Sequence, residues 1–408
     1  MAKENMSKLE RLIQQYCPDG VEYVKLDSVA NICRGTRVVK SQLSDKGYPV
    51  YQNCLTPMGY FERSNCNAGI TFVICGGAAG NVGYTDVECW AADDCEFIIG
   101  GHQVINRYIY YYLMTKQNYL LSKVRKASIP RLSPSIIKDL EIPLPPLPVQ
   151  EEIVRILDAF TELQAELQAE LQKRKQQYNY YLDNLLNFKD INRGGYQAEV
   201  RWMKMSEVFE TITDYTAAGS FKSIAENVKY LKSPDYAMLI RTTDLKSRFR
   251  KGDFIYVSKS AFDYLWRVKM DKECIVMPNV GNCGEIYYVH PNSLPYDNCA
   301  LAPNAILVRS KLFNNKYLSY CLQVECFQKQ LAKITSPVGQ SKFNKTELKK
   351  LLVPIPSLAD QQKIVDILDR FDTITTDLTQ GLPAEIEKRR QQYEYYRDKL
   401  LTFKRKGA

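Results

Sequence analysis

The sequence predicts an α+β protein in which two globular domains are separated by an antiparallel coiled coil of two long helices, with a pseudo-twofold internal repeat. Three observations lead to this fold class. The chain has 408 residues, too long for one ordinary hydrophobic core and long enough for two. Two blocks of sequence occur twice, each with the periodicity of a long amphipathic helix. The stretches before them mix strand-like and helix-like patterns.

The internal repeat consists of two blocks that occur in the same order in both halves. Residues 142–154 read IPLPPLPVQEEIV, and residues 353–365 read VPIPSLADQQKIV. Further on, KRKQQYNYYLDNLLNFK at 173–189 matches KRRQQYEYYRDKLLTFK at 388–404, after a connecting stretch that is four residues longer in the second copy. Because the sequences outside these blocks are mostly unlike, we interpret the chain as a tandem duplication of a variable domain followed by a shared tail.

Both tails are predicted to be helical because their apolar residues recur at steps of three and four. In the first tail these residues are Ile153, Ile156, Phe160, Leu163, Leu167, Leu171, Tyr178, Tyr181, Leu185 and Phe188. In the second tail they are Ile364, Ile367, Phe371, Ile374, Leu378, Ile386, Tyr393, Tyr396, Leu400 and Phe403. Pro148 suits a first helical turn, and Ser357 with Asp360 can cap the second helix. Gly381 and Pro383 predict a kink or a break in that helix.

Neither apolar stripe can remain exposed to water. The simpler arrangement pairs the two helices with each other as an antiparallel coiled coil that separates the globular domains. The alternative is that each helix lies on its own domain. Each tail has about 38 residues and a length of roughly 57 Å at 1.5 Å per residue, and this unbroken length favours the pairing.

The repeat divides the chain into four segments. They are a first globular domain with the N-terminal segment (1–148), a first long helix (149–189), a second globular domain (190–356) and a second long helix (357–408). Within the globular domains, four short apolar stretches predict buried strands, at 69–74, 96–99, 274–277 and 305–308. Aromatic-rich amphipathic patterns predict helices at 107–121 and 316–333.

Composition and charge exclude several classes of protein. The formal net charge of +9 suggests an anionic partner. His102 and His290 are the only histidines, so the chain cannot build a multi-histidine metal site. The twelve cysteines are scattered and have no CxxC spacing. Because the N-terminal residues lack the apolar core of a signal peptide and no run of 18 apolar residues occurs, we expect a cytoplasmic protein with free thiols.

No motif points to catalysis. The glycine-rich stretch 76–83 has neither the Gly-Lys-Ser/Thr ending of a phosphate-binding loop nor the spacing of a dinucleotide-binding loop. Gly80–Gly83 (GNVG) is similar to Gly281–Gly284 (GNCG), which favours an architectural turn after a strand. The acidic pair Asp93 and Asp94 is expected to lie in a solvated loop. We therefore expect no catalytic residue, no metal and no cofactor on this chain.

Basic and amide side chains recur in loop-like stretches of both globular domains. Arginine and lysine neutralise phosphates, and arginine, asparagine and glutamine make two-point contacts with base edges. An ordinary charged surface is the alternative for any one stretch, but recurrence in both halves favours contact with DNA. The candidate DNA-binding residues are Arg34, Thr36, Arg37, Lys40, Gln52, Asn53, Asn81, Arg125, Lys126, Arg131, Arg241, Thr242, Thr243, Arg248, Arg250, Lys251, Asn282, Gln340 and Lys342.

With the IPLPPL and VPIP blocks leading into long helices, the whole chain resembles the specificity subunit of type I restriction-modification systems. The resemblance implies that 1–148 and 190–356 are target recognition domains, each reading half of a bipartite, asymmetric DNA site. It implies that the helices at 149–189 and 357–408 set their separation. It also implies a non-catalytic chain that docks two modification subunits, which use S-adenosylmethionine to methylate adenine, and restriction subunits, which use ATP and Mg.

A short tandem repeat lies in the first helix, where residues 161–172 read TELQAELQAELQ. In some members of the family such repeats alter the gap between the half-sites. Each repeat adds about 6 Å of helix, against 3.4 Å per base pair of DNA. The second helix departs from this pattern, with TITTDLTQGLPAEIE at 373–387. The spacer residues that the resemblance indicates are Leu163, Leu167, Leu171, Ile374, Leu378 and Ile386.

Two other functions compete with this interpretation. The first is a coiled-coil adaptor that bundles proteins without touching DNA, and a weak salt dependence of any DNA binding would favour it. The second is a self-sufficient methyltransferase or nuclease. The absence of a methyl-donor motif and of catalytic motifs argues against the second, and methyl transfer by the purified chain alone would support it.

Overall fold

The computed structural model describes residues 6–186, 188, 200–336, 340–376 and 380–407. The chain forms two compact units, Met1–Glu170 with Pro383–Ala408 (unit 1) and Leu171–Leu382 (unit 2). Each unit contains both strands and helices, which confirms the α+β class. The four-segment division of the sequence stays a prediction, because each unit combines parts of several segments.

The helices differ widely in length, and none of those described is long and apolar enough to cross a membrane. In chain order they are α1 (Lys8–Tyr16), α2 (Leu26–Val29), α3 (Asn106–Thr115), α4 (Gln117–Ser122), α5 (Pro134–Lys138), α6 (Leu147–Leu186), α7 (Met205–Val208), α8 (Phe221–Asn227), α9 (Thr242–Lys246), α10 (Lys259–Tyr264), α11 (Asn315–Cys321), α12 (Glu325–Ile334), α13 (Lys345–Leu348), α14 (Leu358–Thr376) and α15 (Leu382–Leu400). Short 3₁₀ turns lie at Lys40–Gln42, Tyr215–Ala218, Trp266–Val268 and Pro291–Ser293.

The strands are short and divide equally between the two units. In unit 1 they are β1 (Tyr23–Lys25), β2 (Ala30–Arg34), β3 (Tyr48–Tyr51), β4 (Tyr60–Phe61), β5 (Ile70–Ile74), β6 (Val82–Thr85), β7 (Trp90–Ala91), β8 (Cys95–Gly100) and β9 (Glu141–Pro143). In unit 2 they are β10 (Arg201–Lys204), β11 (Thr211–Asp214), β12 (Ala237–Ile240), β13 (Ile255–Val257), β14 (Cys274–Pro278), β15 (Tyr287–Val289), β16 (Cys299–Leu301), β17 (Ala305–Arg309) and β18 (Leu352–Ile355).

Unit 1 is built on a four-stranded antiparallel sheet with the strand order β2-β8-β5-β6. All five residues of the interior strand β5 are buried, as its continuous apolar run predicts. Phe72 on β5 lies opposite Phe97 on β8 and Gly83 on β6. A second sheet has the order β4-β3-β7, with β3 and β7 parallel. Strands β1 and β9 pair just before the chain enters the long helix α6.

Unit 2 repeats this topology strand for strand. Its main sheet has the order β11-β17-β14-β15, and its interior strand β14 is also fully buried. Its second sheet has the order β13-β12-β16, with β12 and β16 parallel. Strands β10 and β18 pair just before α14, as β1 and β9 do before α6. The two variable domains therefore share one fold, although their sequences are mostly unlike.

The predicted strands are confirmed, whereas the predicted helices of the globular domains are each divided in two. The stretches at 69–74, 96–99, 274–277 and 305–308 lie in β5, β8, β14 and β17. The predicted helix at 107–121 is interrupted at Lys116, whose backbone (φ −96°, ψ 7°) leaves the α conformation between α3 and α4. The predicted helix at 316–333 is likewise interrupted between α11 and α12.

The first long helix, α6, is continuous over 40 residues and has Pro148 in its first turn, as predicted. Its heptad stripe is confirmed, since every position of the stripe from Ile153 to Leu185 is buried or half-buried. Of the predicted spacer residues, Leu163 and Leu167 are half-buried and Leu171 is buried. The TELQ repeats therefore lie on one uninterrupted helix with their leucines on the covered face.

The second long helix is divided, as Gly381 and Pro383 predict. Helix α14 ends at Thr376, and α15 begins at Leu382. The predicted cap is present, because Ser357 Oγ accepts a hydrogen bond from the Asp360 N–H at 3.2 Å.

The predicted apolar stripe is only partly buried in this second helix. Ile386 is half-buried, but the prediction for Ile374 is wrong, because this side chain is exposed near the end of α14. Leu378 lies outside the described residues.

Each long helix takes part in both of the packing arrangements that the sequence allows. In unit 1, the first turns of α6 join the core through Val149, Ile153 and Leu157. One turn further on, Phe160 stacks on Tyr396 of α15, with ring centroids 5.7 Å apart. The helix therefore lies on its own domain at its start and contacts the other long helix beyond it.

Unit 2 has the same arrangement with the roles of the helices exchanged. Ile364, Val365 and Leu368 of α14 join its core. Phe371 of α14 then stacks on Tyr181 of α6, with ring centroids 5.1 Å apart. Both predicted arrangements therefore occur: each long helix packs on a globular domain at its start and on the other long helix beyond it.

Two buried side chains fix the start of each long helix to its domain. In unit 1, Gln150 Oε1 accepts the Ile105 N–H at 3.0 Å, and its Nε2 donates to the Pro145 carbonyl at 2.7 Å. Tyr108 donates its hydroxyl proton to the Pro143 carbonyl at 3.0 Å. Because these groups are buried, each needs its partner, and together they set the angle at which α6 leaves the domain.

The same contacts recur in unit 2. Gln361 Oε1 accepts the Asn314 N–H at 3.1 Å, and its Nε2 donates to the Pro356 carbonyl at 3.0 Å. Tyr317 donates to the Pro354 carbonyl at 2.9 Å. These contacts explain why proline, glutamine and tyrosine recur in both copies of a sequence that otherwise differs so much.

Candidate nucleic-acid interface

In unit 1, a glycine turn and a basic hairpin meet at the end of the buried strand β5. Gly77 has a positive φ of 81°, which suits glycine, and its N–H donates to the Pro130 carbonyl at 3.1 Å. Arg125 and Arg131 close the hairpin by two backbone hydrogen bonds of 2.8 and 3.2 Å. Two stretches that the sequence presents separately are therefore one structural feature, and the side chains of both arginines are exposed.

Unit 2 has the same feature at the end of β14. Gly281 has a φ of 84°, and its N–H donates to the Ser341 carbonyl at 2.8 Å. Ser336 and Lys342 close the hairpin by backbone hydrogen bonds of 2.9 and 3.4 Å. Lys342 therefore occupies in unit 2 the position that Arg131 occupies in unit 1.

These hydrogen bonds correct the sequence comparison of the two glycine turns. Gly77 is equivalent to Gly281, so Gly77–Gly80 corresponds to Gly281–Gly284, three residues before the match that the shared letters suggest. Asn81 and Asn282 are therefore not equivalent. Asn81 is half-buried and donates its Nδ2 proton to the Ala78 carbonyl at 2.9 Å, which holds the turn together. Asn282 is exposed at the tip of its turn.

Two further candidate loops of unit 1 lie beside this turn. After β2, Thr36 donates its N–H to the Ala91 carbonyl at 2.9 Å, which fixes the loop that carries Arg37 and Lys40 to β7. After β3, the Asn53 carbonyl accepts the Ala78 N–H at 2.8 Å, which joins that loop to the glycine turn. The side chains of Arg34, Thr36, Arg37, Lys40, Asn53 and Lys126 are exposed, and Gln52 is half-buried.

The charged residues of unit 1 surround a cavity of about 620 Å³. We call this the charged cavity; its lining includes Arg34, Cys75, Asp93, Asp94, Glu96, Lys123, Arg125 and Arg131. Arg131 Nη1 lies 3.1 Å from Asp94 Oδ1, and Arg34 donates its Nε proton to the Asp93 carbonyl at 2.9 Å. These contacts hold both guanidinium groups at the rim.

The two aspartates were predicted to lie in a solvated loop, and this is wrong. The Asp94 side chain is only 19% exposed, because it packs beneath Arg131. Asp93 Oδ1 is buried without a hydrogen-bond partner among the described residues. The sequence does not reveal this role, because Asp94 and Arg131 are far apart along the chain and only the fold brings them together.

Burial also affects two other groups in the charged cavity, Cys75 and Glu96. Burial raises the pKa of the Cys75 thiol to about 12, so the sulfur stays protonated and is a poor nucleophile. Burial also raises the pKa of the Glu96 carboxyl above its ordinary value. Among the described residues, no group of three or more histidine, cysteine, aspartate or glutamate side chains is placed to hold a metal ion.

In unit 2, the loop after β12 carries most of the predicted contacts, but Arg241 does not point freely to solvent. Its Nε and Nη2 donate to the two carboxylate oxygens of the buried Asp244 at 3.0 and 2.7 Å. The carboxylate of Asp244 raises the pKa of this guanidinium. Arg241 therefore fixes the start of α9, where Thr242 is half-buried and Thr243 is exposed.

The remaining basic side chains of this loop are presented at its tip. Arg248 and Phe249 have positive φ values of 49° and 59°, and the turn they form ends α9. The side chains of Arg248, Arg250 and Lys251 are exposed there. Lys246 forms an ion pair with Glu285, which joins the loop to the glycine turn. The side chains of Gln340 and Lys342 are exposed on the neighbouring hairpin.

Comparison with known proteins places these features in context. A family model described as the type I restriction modification DNA specificity domain matches residues 18–176 and again 197–388. A putative type I restriction enzyme specificity subunit from Haemophilus influenzae is 29% identical over 98% of this chain and 100% of its own length. The EcoR124I/EcoR124II specificity subunit from Escherichia coli is 31% identical over 74% of this chain and 72% of its own length.

A solved structure shows the same fold. It is the S subunit of a type I restriction-modification system from M. genitalium, which is superposed with a TM-score of 0.57. The match covers 93% of this chain and 95% of that chain, at 18% sequence identity.

Proposed function

Because the chain belongs to the type I restriction-modification DNA specificity family, we propose that it is the sequence-specific DNA-binding subunit of a type I restriction-modification complex. In this proposal, units 1 and 2 each read one part of a bipartite, asymmetric DNA site. The chain selects the site and positions its partners, and it carries no catalytic residue of its own.

The observation that carries the proposal is the duplicated arrangement of glycine turn and basic hairpin. Both units bring these elements to the same end of the same sheet, through equivalent hydrogen bonds from Gly77 and Gly281. The side chains they present differ, with Arg131 in unit 1 and Lys342 in unit 2. Two units with equivalent backbone structures and different side chains suit a DNA site whose two parts have different sequences.

The exposed candidates divide into two proposed roles. Arg37, Lys40, Arg248, Arg250 and Lys251 extend from loops, where flexible cations can neutralise phosphates. Around the glycine turns, arginine and amide groups can contact base edges; these are Arg34, Asn53, Arg125, Arg131, Asn282 and Gln340. Lys342 lies beside them and can neutralise a phosphate. Gln52, Lys126, Thr36, Thr242 and Thr243 complete the proposed interface, with Asn81 and Arg241 in supporting positions.

The long helices are proposed to set the distance between the two parts of the DNA site. The three copies of the tetrapeptide at 161–172 (TELQ, AELQ and AELQ) lie within the continuous helix α6. One copy adds about 6 Å of helix, against 3.4 Å per base pair. Removing or adding one copy should therefore shift the spacer by about one to two base pairs.

The partners follow from membership of a family whose relatives are specificity subunits of type I enzymes. We propose that the chain docks two modification subunits, which bind S-adenosylmethionine and methylate adenine. Restriction subunits that use ATP and Mg then join the assembly. The four-segment division at 148, 189 and 356 is proposed to separate the recognition domains from the spacer helices.

DNA binding by the complex of this chain with its modification subunits tests the proposal. Single alanine variants of Arg34, Arg37 and Lys40 should fold as the parent does but bind the target duplex more weakly. The slope of log affinity against log salt should fall by about one for each phosphate contact that is lost. Lys175→Ala is the matched control, because Lys175 is an exposed cation on helix α6 and is not one of the candidate DNA-binding residues.

Three results would count against parts of the proposal. Unchanged affinity and salt dependence in all three variants would remove this loop from the interface, and weak salt dependence of the parent complex would favour the adaptor alternative. Methyl transfer by the purified chain alone would contradict a non-catalytic role.

A further inference from the structure

A second cavity lies in unit 2, and its lining is largely aromatic and aliphatic. Its volume is about 570 Å³. We call it the aromatic cavity; its lining includes Tyr215, Phe221, Ile224, Val228, Tyr230, Asn279, Val280 and Asn304. Nothing in the proposed function so far uses this cavity or α8, which forms one of its walls.

The aromatic cavity lies at the end of the main sheet of unit 2 that corresponds to the end where the charged cavity lies in unit 1, although most of its other walls come from different elements. The Cys75 N–H donates to the Asp94 carbonyl at 2.7 Å, and the Asn279 N–H donates to the Asn304 carbonyl at 3.1 Å. All four residues line their respective cavities. Since the charged cavity adjoins the proposed DNA-contacting hairpin of unit 1, the aromatic cavity adjoins the equivalent hairpin of unit 2.

Phe221 is held at the mouth of this cavity although it is 83% exposed. Ser220 caps α8 by accepting the Ser223 N–H at 3.2 Å, which fixes the turn that carries Phe221. Ile224 and Val228 are buried and hold α8 on the core. An exposed aromatic ring at the mouth of a cavity presents a face on which a planar ligand can stack.

The cavity also offers polar groups at its walls. Asn279 Oδ1 is buried without a hydrogen-bond partner among the described residues. Because buried polar atoms are normally hydrogen-bonded, this oxygen can accept a hydrogen bond from a ligand. Tyr230 donates its hydroxyl proton to the Tyr215 hydroxyl at 3.3 Å, so both rings are fixed in place. A planar apolar ligand with hydrogen-bonding groups on its edge suits this combination.

Positive charge next to the cavity indicates that such a ligand is part of a nucleic acid. Val280 lines the cavity and is bridged to Lys342 of the basic hairpin. Lys222 and Lys229 are exposed within and just after α8. Cations that can neutralise phosphates therefore flank an aromatic pocket, which is the arrangement that proteins use to bind unstacked bases of nucleic acids.

We propose that the aromatic cavity receives one unstacked base of the half-site that unit 2 reads, with Phe221 stacking on it. This inference rests on the proposed function, because it takes DNA as the ligand of unit 2. Withdrawing a base from the duplex costs free energy, which stacking on an aromatic ring offsets. Unit 1, whose cavity is charged, reads its half-site without withdrawing a base.

A double-mutant cycle between Phe221 and the DNA tests the inference. The probes are duplexes that carry the target site mapped by methylome sequencing, with one abasic position at a time across both half-sites. Binding is measured for the complex of this chain with its modification subunits. Phe221→Ala should weaken binding of the intact duplex about tenfold, within the range for loss of one stacked base.

At one position of the half-site read by unit 2, the parent and Phe221→Ala should bind the abasic duplex equally. Leu312→Ala is the matched control, because Leu312 is a 71% exposed apolar residue at the helix-junction end of the same unit. This control should bind every duplex as the parent does. Arg131→Ala should weaken binding without such coupling.

The outcomes separate the two proposals. Equal binding of intact DNA by the parent and Phe221→Ala would overturn the cavity assignment and leave the proposed function standing. So would a tenfold loss that persists at every abasic position, or coupling in the half-site read by unit 1. Failure of the parent complex to prefer the mapped site over a scrambled duplex would instead overturn the proposed function.

Discussion

The charged cavity of unit 1 and the aromatic cavity of unit 2 lie at equivalent ends of the two main sheets, yet their linings share almost no chemistry. Arg34 at the end of β2 corresponds to Asp214 at the end of β11, and Glu96 opposite it corresponds to Ile306. The backbone hydrogen bonds that Cys75 and Gly77 donate in unit 1 nevertheless correspond to those that Asn279 and Gly281 donate in unit 2. One backbone frame therefore carries two sites whose side chains differ in charge and in polarity.

At the opposite end of each unit, where a long helix begins, the side chains of the two units are alike. There, Gln150 and Tyr108 of unit 1 make the same contacts as Gln361 and Tyr317 of unit 2. These residues hold the start of a long helix, and that task is the same in both units. Duplication has therefore left the helix junctions alike and the cavities unlike.

The largest effect is expected at the helix junctions. Gln361→Ala removes the side-chain partner of the Asn314 N–H and of the Pro356 carbonyl. Gln150→Ala does the same for the Ile105 N–H and for the Gln103 and Pro145 carbonyls. Each variant should therefore lower the free energy of unfolding by about 3 kcal/mol. Denaturant unfolding measures the loss. The control Gln362→Ala changes an exposed neighbour and should cost less than about 0.5 kcal/mol. A cost below 1 kcal/mol at either buried glutamine would contradict the equivalence of the two junctions.

The next effect concerns the equivalent cations Arg131 and Lys342. Arg131→Ala should lower affinity for the target duplex about tenfold and relax discrimination in one half-site, because a guanidinium can make two contacts with a base. Lys342→Ala should lower affinity only a few fold, as loss of a phosphate contact does. Competition binding with single-base variants of each half-site measures both. Equal losses of affinity that do not depend on the DNA sequence would show that the two side chains make the same kind of contact.

Asp94 should affect discrimination more than affinity. Asp94→Asn removes the charge that holds the Arg131 guanidinium, so discrimination in the half-site read by unit 1 should fall about fivefold. Non-specific binding should rise, because a negative charge near the phosphates is lost. Binding to target and scrambled duplexes at one salt concentration tests this. Unchanged discrimination would mean that Asp94 does not position Arg131.

The smallest expected effect is a difference between the two units in how acid changes their stability. Hydrogen bonds from Arg155, and then from Lys8, lower the pKa of Glu152 from 4.5 to about 2, whereas unit 2 has Lys363 at the equivalent position. The contribution of Glu152 is therefore complete above pH 4.5 and lost as the pH falls towards 2. Glu152→Gln should cost about 1 kcal/mol at pH 7 and nothing near pH 2, as measured by urea unfolding. A cost that is independent of pH would contradict the ion pair.

The sequence predicts the regular parts of this fold well. Heptad spacing identifies α6 from Ile153 to Leu185, and continuous apolar runs identify β5 and β14, because burial imposes those patterns directly. Gly381 and Pro383 likewise mark the break between α14 and α15. The exposure of Ile374 is missed, because a periodic pattern does not show where a helix loses its neighbour.

The candidate site is only partly visible in the sequence. Basic residues identify the hairpins, but the letters GNVG and GNCG align the glycine turns three residues out of register, since only φ and hydrogen bonds define equivalence. Asp94 and Phe221 are missed for a different reason. Their roles depend on residues that are distant in sequence and that the sheet brings together.

Exchange of one recognition domain tests whether each unit reads its own part of the DNA site. Residues 1–148 are replaced by those of a relative, and the methylome is sequenced in cells that also produce the modification subunits. We expect the methylated sites to keep one half-site and the spacer, and to change in the other half-site only. A change in both half-sites, or in neither, would contradict the account that each unit reads its own part of the DNA site.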